Sequence, residues 1–173
     1  MDVLALFKPI KLFVFDVDGV LTDGNVLLTE SGEMVRTMSI KDGYALQLAI
    51  KNGYQILVIS GAKSAPVALR LKNLGISHIF MGILNKKEVL DTFTAQEQIG
   101  FHEILYMGDD IPDIEAMGAS GLACCPADAV AEVKAISAYV SPKEGGHGCV
   151  RDVIEKVMKL NRRWCADNET TSA

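Results

Sequence analysis

The sequence predicts a single α/β domain built on a doubly wound parallel sheet with helices on both faces. Short apolar runs alternate along the chain with segments of helical periodicity. The composition, 49% hydrophobic and 23% charged, is that of a folded globular chain. The 173 residues suffice for one domain with a sizeable core.

Each element follows from its own signals. Residues 11–17 (KLFVFDV) read as a buried strand. Residues 25–40 read as two strands around a Ser31-Gly32 turn, a β-hairpin flap. Residues 42–53 place apolar side chains at helical spacing and stop at Asn52-Gly53. A second buried strand covers 54–60, an amphipathic helix 63–74, a short strand 78–82 and a helix 86–99 with Gly100 as its stop. Then come a strand at 103–109, a short helix at 111–118, a strand at 120–126, a helix at 127–136, a short strand at 138–141 and a last helix at 148–161. The polar tail 166–173 is expected to fray.

Some functions are disfavoured. The net charge of −5, without any Lys/Arg run, argues against nucleic acid as the main partner. The apolar N-terminus carries Asp2, and Lys8, Pro9 and Lys11 interrupt it, so neither a signal peptide nor a membrane span is expected. Cys124, Cys125, Cys149 and Cys165 show no zinc-site spacing and read as reduced thiols of a cytoplasmic protein.

Open α/β sheets bind ligands at the carboxyl ends of their strands. Asp16 and Asp18 follow the first strand, and Ser60 and Gly61 follow the strand at 54–60. Asp109, Asp110 and Asp113 follow the strand at 103–109, and Lys86 opens a helix. Carboxylates from two strand ends converging on one edge would raise each other's pKa strongly. A hard divalent cation resolves that repulsion, and Mg²⁺ suits a few carboxylates plus phosphate oxygens.

DVDGVLTDG (16–24), VISG (58–61), NKKEVL (85–90) and GDDIPD (108–113) resemble, in order, the four motifs of the haloacid dehalogenase superfamily. The resemblance implies a Rossmann-like fold and a phosphatase. Asp16 would be the nucleophile, forming an aspartyl-phosphate. Asp18 would protonate the leaving alcohol and then activate water. Asp16, the main-chain carbonyl of Asp18 and Asp109 would hold Mg²⁺, with Asp110 and Asp113 behind them. Ser60, Gly61 and Lys86 would bind the phosphoryl group; Lys87 stays an alternative to Lys86. Residues 19–59 and 61–85 leave no room for a cap domain.

The hairpin, SIKDGYAL (39–46) and KEGGHGCVRDV (143–153) resemble cap-less 3-deoxy-D-manno-octulosonate 8-phosphate phosphatases. That implies a phosphorylated sugar acid as substrate, a role in lipopolysaccharide synthesis and a homotetramer. It also implies that Lys41, Asp42, Gly145, Gly146, His147 and Arg151 lie near substrate, from one subunit or from two, with the glycines making the 143–151 segment mobile enough to reach an adjacent active site. Two positions depart from the pattern: Ala62-Lys63 stands where an arginine is typical, and His147 where the segment usually reads G-G-R-G. Lys63 could replace the arginine as a point charge. A nonulosonate 9-phosphate or broad-specificity phosphatase is the alternative within the class. A Mg²⁺-binding receiver domain is the alternative outside it, but there the lysine follows the last strand.

Overall fold

The computed structural model describes residues 2–164. The expected frayed tail and Cys165 lie outside the described residues. Among those described, six strands form one parallel sheet in the order β5-β4-β1-β6-β7-β8. They are β1 (Leu12–Phe15), β4 (Gln55–Ser60), β5 (His78–Met81), β6 (Ile104–Met107), β7 (Leu122–Cys125) and β8 (Tyr139–Val140). Strands β2 (Leu27–Leu28) and β3 (Met34–Val35) form a separate antiparallel hairpin. The helices are α1 (Val3–Phe7), α2 (Ile40–Lys51), α3 (Ala65–Asn73), α4 (Lys86–Glu97), α5 (Ile114–Gly118), α6 (Ala131–Ile136) and α7 (Cys149–Leu160).

Strand alternation sorts the core into two layers. Phe13, Phe15, Ile56, Val58, Leu105 and Met107 pack on one face against Leu46 of α2, Leu71 of α3 and Ile154 of α7. Leu12, Val14, Leu57, Ile59, Ile104 and Tyr106 face the other way, against Leu90 of α4, Met117 of α5 and Val133 of α6. β1 is buried along its whole length, so it reads as a continuous apolar run. The chain lays β4 and β5 on one side of β1, then crosses to β6, β7 and β8 on the other. The ends of β1 and its neighbours therefore flank a switch point, where a crevice opens.

Some boundaries differ from the sequence reading. Only two residues pair on each side of the hairpin; residues 30–32 form its turn, the others are irregular, and Ile40 already opens α2. Helix α4 stops at Gln98, which takes a left-handed conformation (φ 57°), and not at Gly100. Helix α6 begins at Ala131, because the preceding loop is tied by the Val130 N–H to the Asp109 carbonyl (3.0 Å). The five-residue α1 was not anticipated; Asp2 caps it, accepting the Leu4 N–H at 3.0 Å.

Candidate active site

Asp16 emerges straight from β1, and its N–H still bonds the Met107 carbonyl of β6 (3.2 Å). Asp16 and Asp18 are both extended, and Gly19 turns the chain with φ +86°. Buried Thr22 knits the loop. Its Oγ1 accepts the N–H groups of Gly19 and Gly24, both at 3.3 Å, and donates to the Val17 carbonyl at 3.3 Å.

Asp109 and Asp113 arrive from the end of β6. Asp113 is buried and well partnered: Oδ1 accepts from Lys86 Nζ (2.8 Å) and the Tyr106 hydroxyl (2.9 Å), and Oδ2 from the Asp109 N–H (3.3 Å). Two glycines make room for these carboxylates. A Cβ on Gly19 would lie 1.9 Å from Asp109 Oδ2, and one on Gly108 would lie 2.4 Å from Asp113 Cβ.

Lys86 is the first residue of α4, capped by Asn85, whose Oδ1 accepts the Glu88 N–H at 3.1 Å. Its side chain is only 5% exposed, so its charge must be matched inside the site. Nζ lies 2.9 Å from Asp16 Oδ1, an ion pair that is poorly directed as a hydrogen bond. Burial works against the Lys86 charge, but Asp16 and Asp113 outweigh it and hold the ammonium above its ordinary range. Lys87 points outward and pairs with Asp91 on the surface of α4. The sequence had left these two lysines open, and only Lys86 reaches the aspartates.

Asp16, Asp109 and Asp113 each offer a carboxylate oxygen within 4.8 Å of the others. Oδ1 of Asp109 is buried without a hydrogen-bond partner, and Oδ1 of Asp16 has only its ion pair with Lys86. Burial first, then the charge of Asp113, pushes Asp16 up to about 7. Burial, then Asp16 and Asp113, pushes Asp109 up to about 8. Under-partnered carboxylate oxygens crowded together in a low-dielectric pocket are costly. They form the donor set a hard divalent cation prefers, so the residues present fit Mg²⁺.

The Asp18 carboxylate lines the same cavity as this trio and meets the hairpin. Arg36 grips it with both prongs, Nε to Oδ1 at 2.6 Å and Nη2 to Oδ2 at 3.1 Å. Ser60 ends β4, buried, and its Oγ accepts the Ala62 N–H at 3.1 Å. Asp16, Asp18, Ser60, Gly61, Lys86 and Asp109 thus line one cavity of about 450 Å³. Asp110 stands at its rim and accepts its neighbour's N–H, from Ile111 at 2.8 Å.

The outer candidates lie elsewhere within one chain. Buried Asp42 accepts the N–H groups of Gly148 (3.2 Å) and Arg151 (2.8 Å), so it caps α7. The Arg151 guanidinium lies over Trp164 and Tyr44, at 5.3 and 5.8 Å from the ring centroids. Lys41 is on the exposed first turn of α2. Lys63 lines a neighbouring cavity of about 520 Å³ between the hairpin and α3. His147 Nδ1 sits 2.7 Å from the Gly145 carbonyl. None of these five lines the aspartate cavity.

Gly145 and Gly146 also meet a packing need. A Cβ on Gly145 would lie 2.0 Å from the Gly19 carbonyl oxygen, and one on Gly146 would lie 2.6 Å from Asp23 N. The segment presses its backbone onto the aspartate loop, and the Gly146 N–H bonds the Val20 carbonyl at 2.9 Å.

Sequence reasoning missed Arg36, Tyr106 and Thr22. Thr22 stands inside the quoted first motif, but Arg36 and Tyr106 carry no local signal, because only tertiary packing brings them to the aspartates.

This sheet, with its acidic edge and its buried lysine, places the molecule among the phosphatases of the haloacid dehalogenase superfamily. No protein-family model matches the chain. It is 32% identical over 157 residues to the 3-deoxy-D-manno-octulosonate 8-phosphate phosphatase of Escherichia coli, covering 91% of this chain and 84% of that one. The chain belongs to that phosphatase family. A probable YrbI family phosphatase from Pseudomonas syringae superposes with a TM-score of 0.91 at 37% identity, covering 94% of this chain and 93% of that one. The Moraxella catarrhalis octulosonate 8-phosphate phosphatase, solved with magnesium, phosphate and the free sugar acid, gives 0.88 at 35% identity over 92% and 91%.

Proposed function

We propose that this protein is a Mg²⁺-dependent phosphatase that converts 3-deoxy-D-manno-octulosonate 8-phosphate to the free sugar acid and phosphate. The observation that carries the chemistry is the close trio Asp16, Asp109 and Asp113 with buried Lys86 against it. The relatives' activity and the coverage of nearly the whole chain support the substrate.

Asp16 is the nucleophile: one carboxylate oxygen bonds phosphorus as the bond to the leaving oxygen breaks. Asp18 gives its proton to that oxygen, then takes one from the water that attacks the aspartyl-phosphate, and Asp16 is released. Lys86 neutralises Asp16 and the phosphoryl oxygens. The Ser60 hydroxyl accepts from the Ala62 N–H, which leaves its own proton for a phosphoryl oxygen. Asp16 and Asp109, with the Asp18 carbonyl, would hold Mg²⁺, and Asp113, already bonded to Lys86 and Tyr106, fixes the set from behind. When bound, the ion supplies positive charge against the phosphoryl oxygens.

We extend the reading to a cytoplasmic homotetramer assembled through the hairpin. Leu27, Leu28 and Met34 are 68%, 69% and 55% exposed there, a cost that a second copy would remove. No helix among the described residues is long and apolar enough to cross a membrane.

Phosphate release from octulosonate 8-phosphate, a nonulosonate 9-phosphate and p-nitrophenyl phosphate tests the assignment. The octulosonate ester should give the highest kcat/KM, and only with Mg²⁺. Preference for the nonulosonate ester would reassign the substrate; no Mg²⁺-dependent turnover of any would reject the enzyme.

A further inference from the structure

Among the aspartates of the site, Asp18 alone depends on the hairpin for its position. Asp16 is tied to Lys86, and Asp113 to Lys86, Tyr106 and the Asp109 N–H. The Asp18 side chain is 35% exposed, and within its own loop it has only a 3.5 Å approach from Thr22 Oγ1, too long to fix it. Such a carboxylate would rotate among its staggered positions.

Arg36, eighteen residues away, supplies the missing restraint. Its third contact, Nη1 to the Met34 carbonyl at 3.2 Å, anchors the guanidinium on β3. The side chain is 6% exposed although it sits on a largely exposed hairpin. A two-pronged guanidinium–carboxylate pair fixes direction as well as distance. The pair also stands between the aspartate cavity, which Asp18 lines, and the larger neighbouring cavity, which Arg36 lines.

We propose that Arg36 is a positioning residue for proton transfer: it aims the Asp18 carboxylate at the leaving oxygen and couples the hairpin to the chemistry. The inference rests on Asp18 as the proton carrier. Its consequence depends on the leaving group. A leaving group that departs poorly as an anion needs Asp18 well placed, and one that departs easily does not.

The test compares kcat/KM for phenyl phosphate and p-nitrophenyl phosphate in the wild type, Arg36→Ala, Arg36→Lys, Asp18→Asn and the Asp18→Asn/Arg36→Ala double variant. Arg36→Ala should lose about tenfold or more on phenyl phosphate and less than about threefold on p-nitrophenyl phosphate, part of the general acid–base contribution. Arg36→Lys should recover part of the loss, keeping charge without the fork. Adding Arg36→Ala to Asp18→Asn should cost nothing more, since the two act as one unit. Equal losses on both esters, or none, would overturn the proposal, as would additive losses. If Arg36→Ala fails to fold, Arg36→Lys carries the same comparison. An Asp18→Asn variant without the leaving-group signature would instead reject Asp18 as proton carrier, and the inference with it.

Discussion

Gly19 and Asp109 compete for one volume: the place a Gly19 side chain would fill is taken by the Asp109 carboxylate, 1.9 Å from an ideal Cβ. Gly19 also has φ +86°, which L side chains adopt only at a cost of about 1–3 kcal/mol. The two constraints agree, because the turn that returns the loop after Asp18 is the same turn that admits Asp109.

Gly19→Ala should therefore displace Asp109 and weaken Mg²⁺ binding by about 10–100-fold, with a matching fall in turnover at limiting metal. Calorimetric titration with Mg²⁺ checks this. Unchanged affinity in a folded variant would mean that Asp109 is not needed to hold the ion.

Two adjacent lysines give a controlled contrast. Lys86 is buried between Asp16 and Asp113, whereas Lys87 makes a surface pair with Asp91. Lys86→Met should lower kcat by about 10²–10³, the usual cost of losing a charge-stabilising donor. Lys87→Met should change stability by about 0.3–0.5 kcal/mol at most and leave kcat within about twofold. Steady-state kinetics of both variants decide it; comparable losses would put the pair in the wrong roles.

The order of strands and helices was legible because buried parallel strands read as apolar runs, and helices as periodic ones. The strand-end aspartates and Ser60 were legible because ligands gather at the carboxyl ends of the strands, and Lys86 because it stands in the third of four motifs in order. Arg36 and Tyr106 were not, since each acts across the fold, at separations of eighteen and seven residues from its carboxylate. Asp42 and Arg151 also make contacts that sequence alone does not show. A polar residue in a suggestive string can be spent on capping or stacking, as Asp42 is on α7 and Arg151 on Trp164.

Tyr106 exposes how far the support beneath the site extends. It is fully buried, and its hydroxyl donates to Asp113 Oδ1 at 2.9 Å. Tyr106→Phe removes that bond and keeps the ring. The loss of a buried hydrogen bond to a charged acceptor should cost about 2 kcal/mol in denaturant unfolding. Turnover should fall less than for Lys86→Met, because Lys86 still holds Asp113. Wild-type stability in the variant would show that the hydroxyl is not part of the network.

The metal should act on stability in a pH-dependent way, and the sign follows from the carboxylates. Asp16 and Asp109 are pushed from 3.8 up to about 7 and about 8, chiefly by burial. Between about pH 4 and pH 8 the folded metal-free protein therefore binds more protons than the unfolded chain. Its stability is greatest toward the acid end of that window with respect to these groups, and declines as pH rises through their folded values. Mg²⁺ requires the ionised carboxylates, so protons compete with it across the same window. The rise in Tm produced by a fixed Mg²⁺ concentration should be small near about pH 5.5 and large near about pH 8. Asp109→Asn should flatten that dependence, since it removes one of the two shifted groups. Scanning fluorimetry with and without Mg²⁺ at several pH values measures both effects. A Mg²⁺-induced shift that is constant with pH would show that these carboxylates are already ionised in the folded protein.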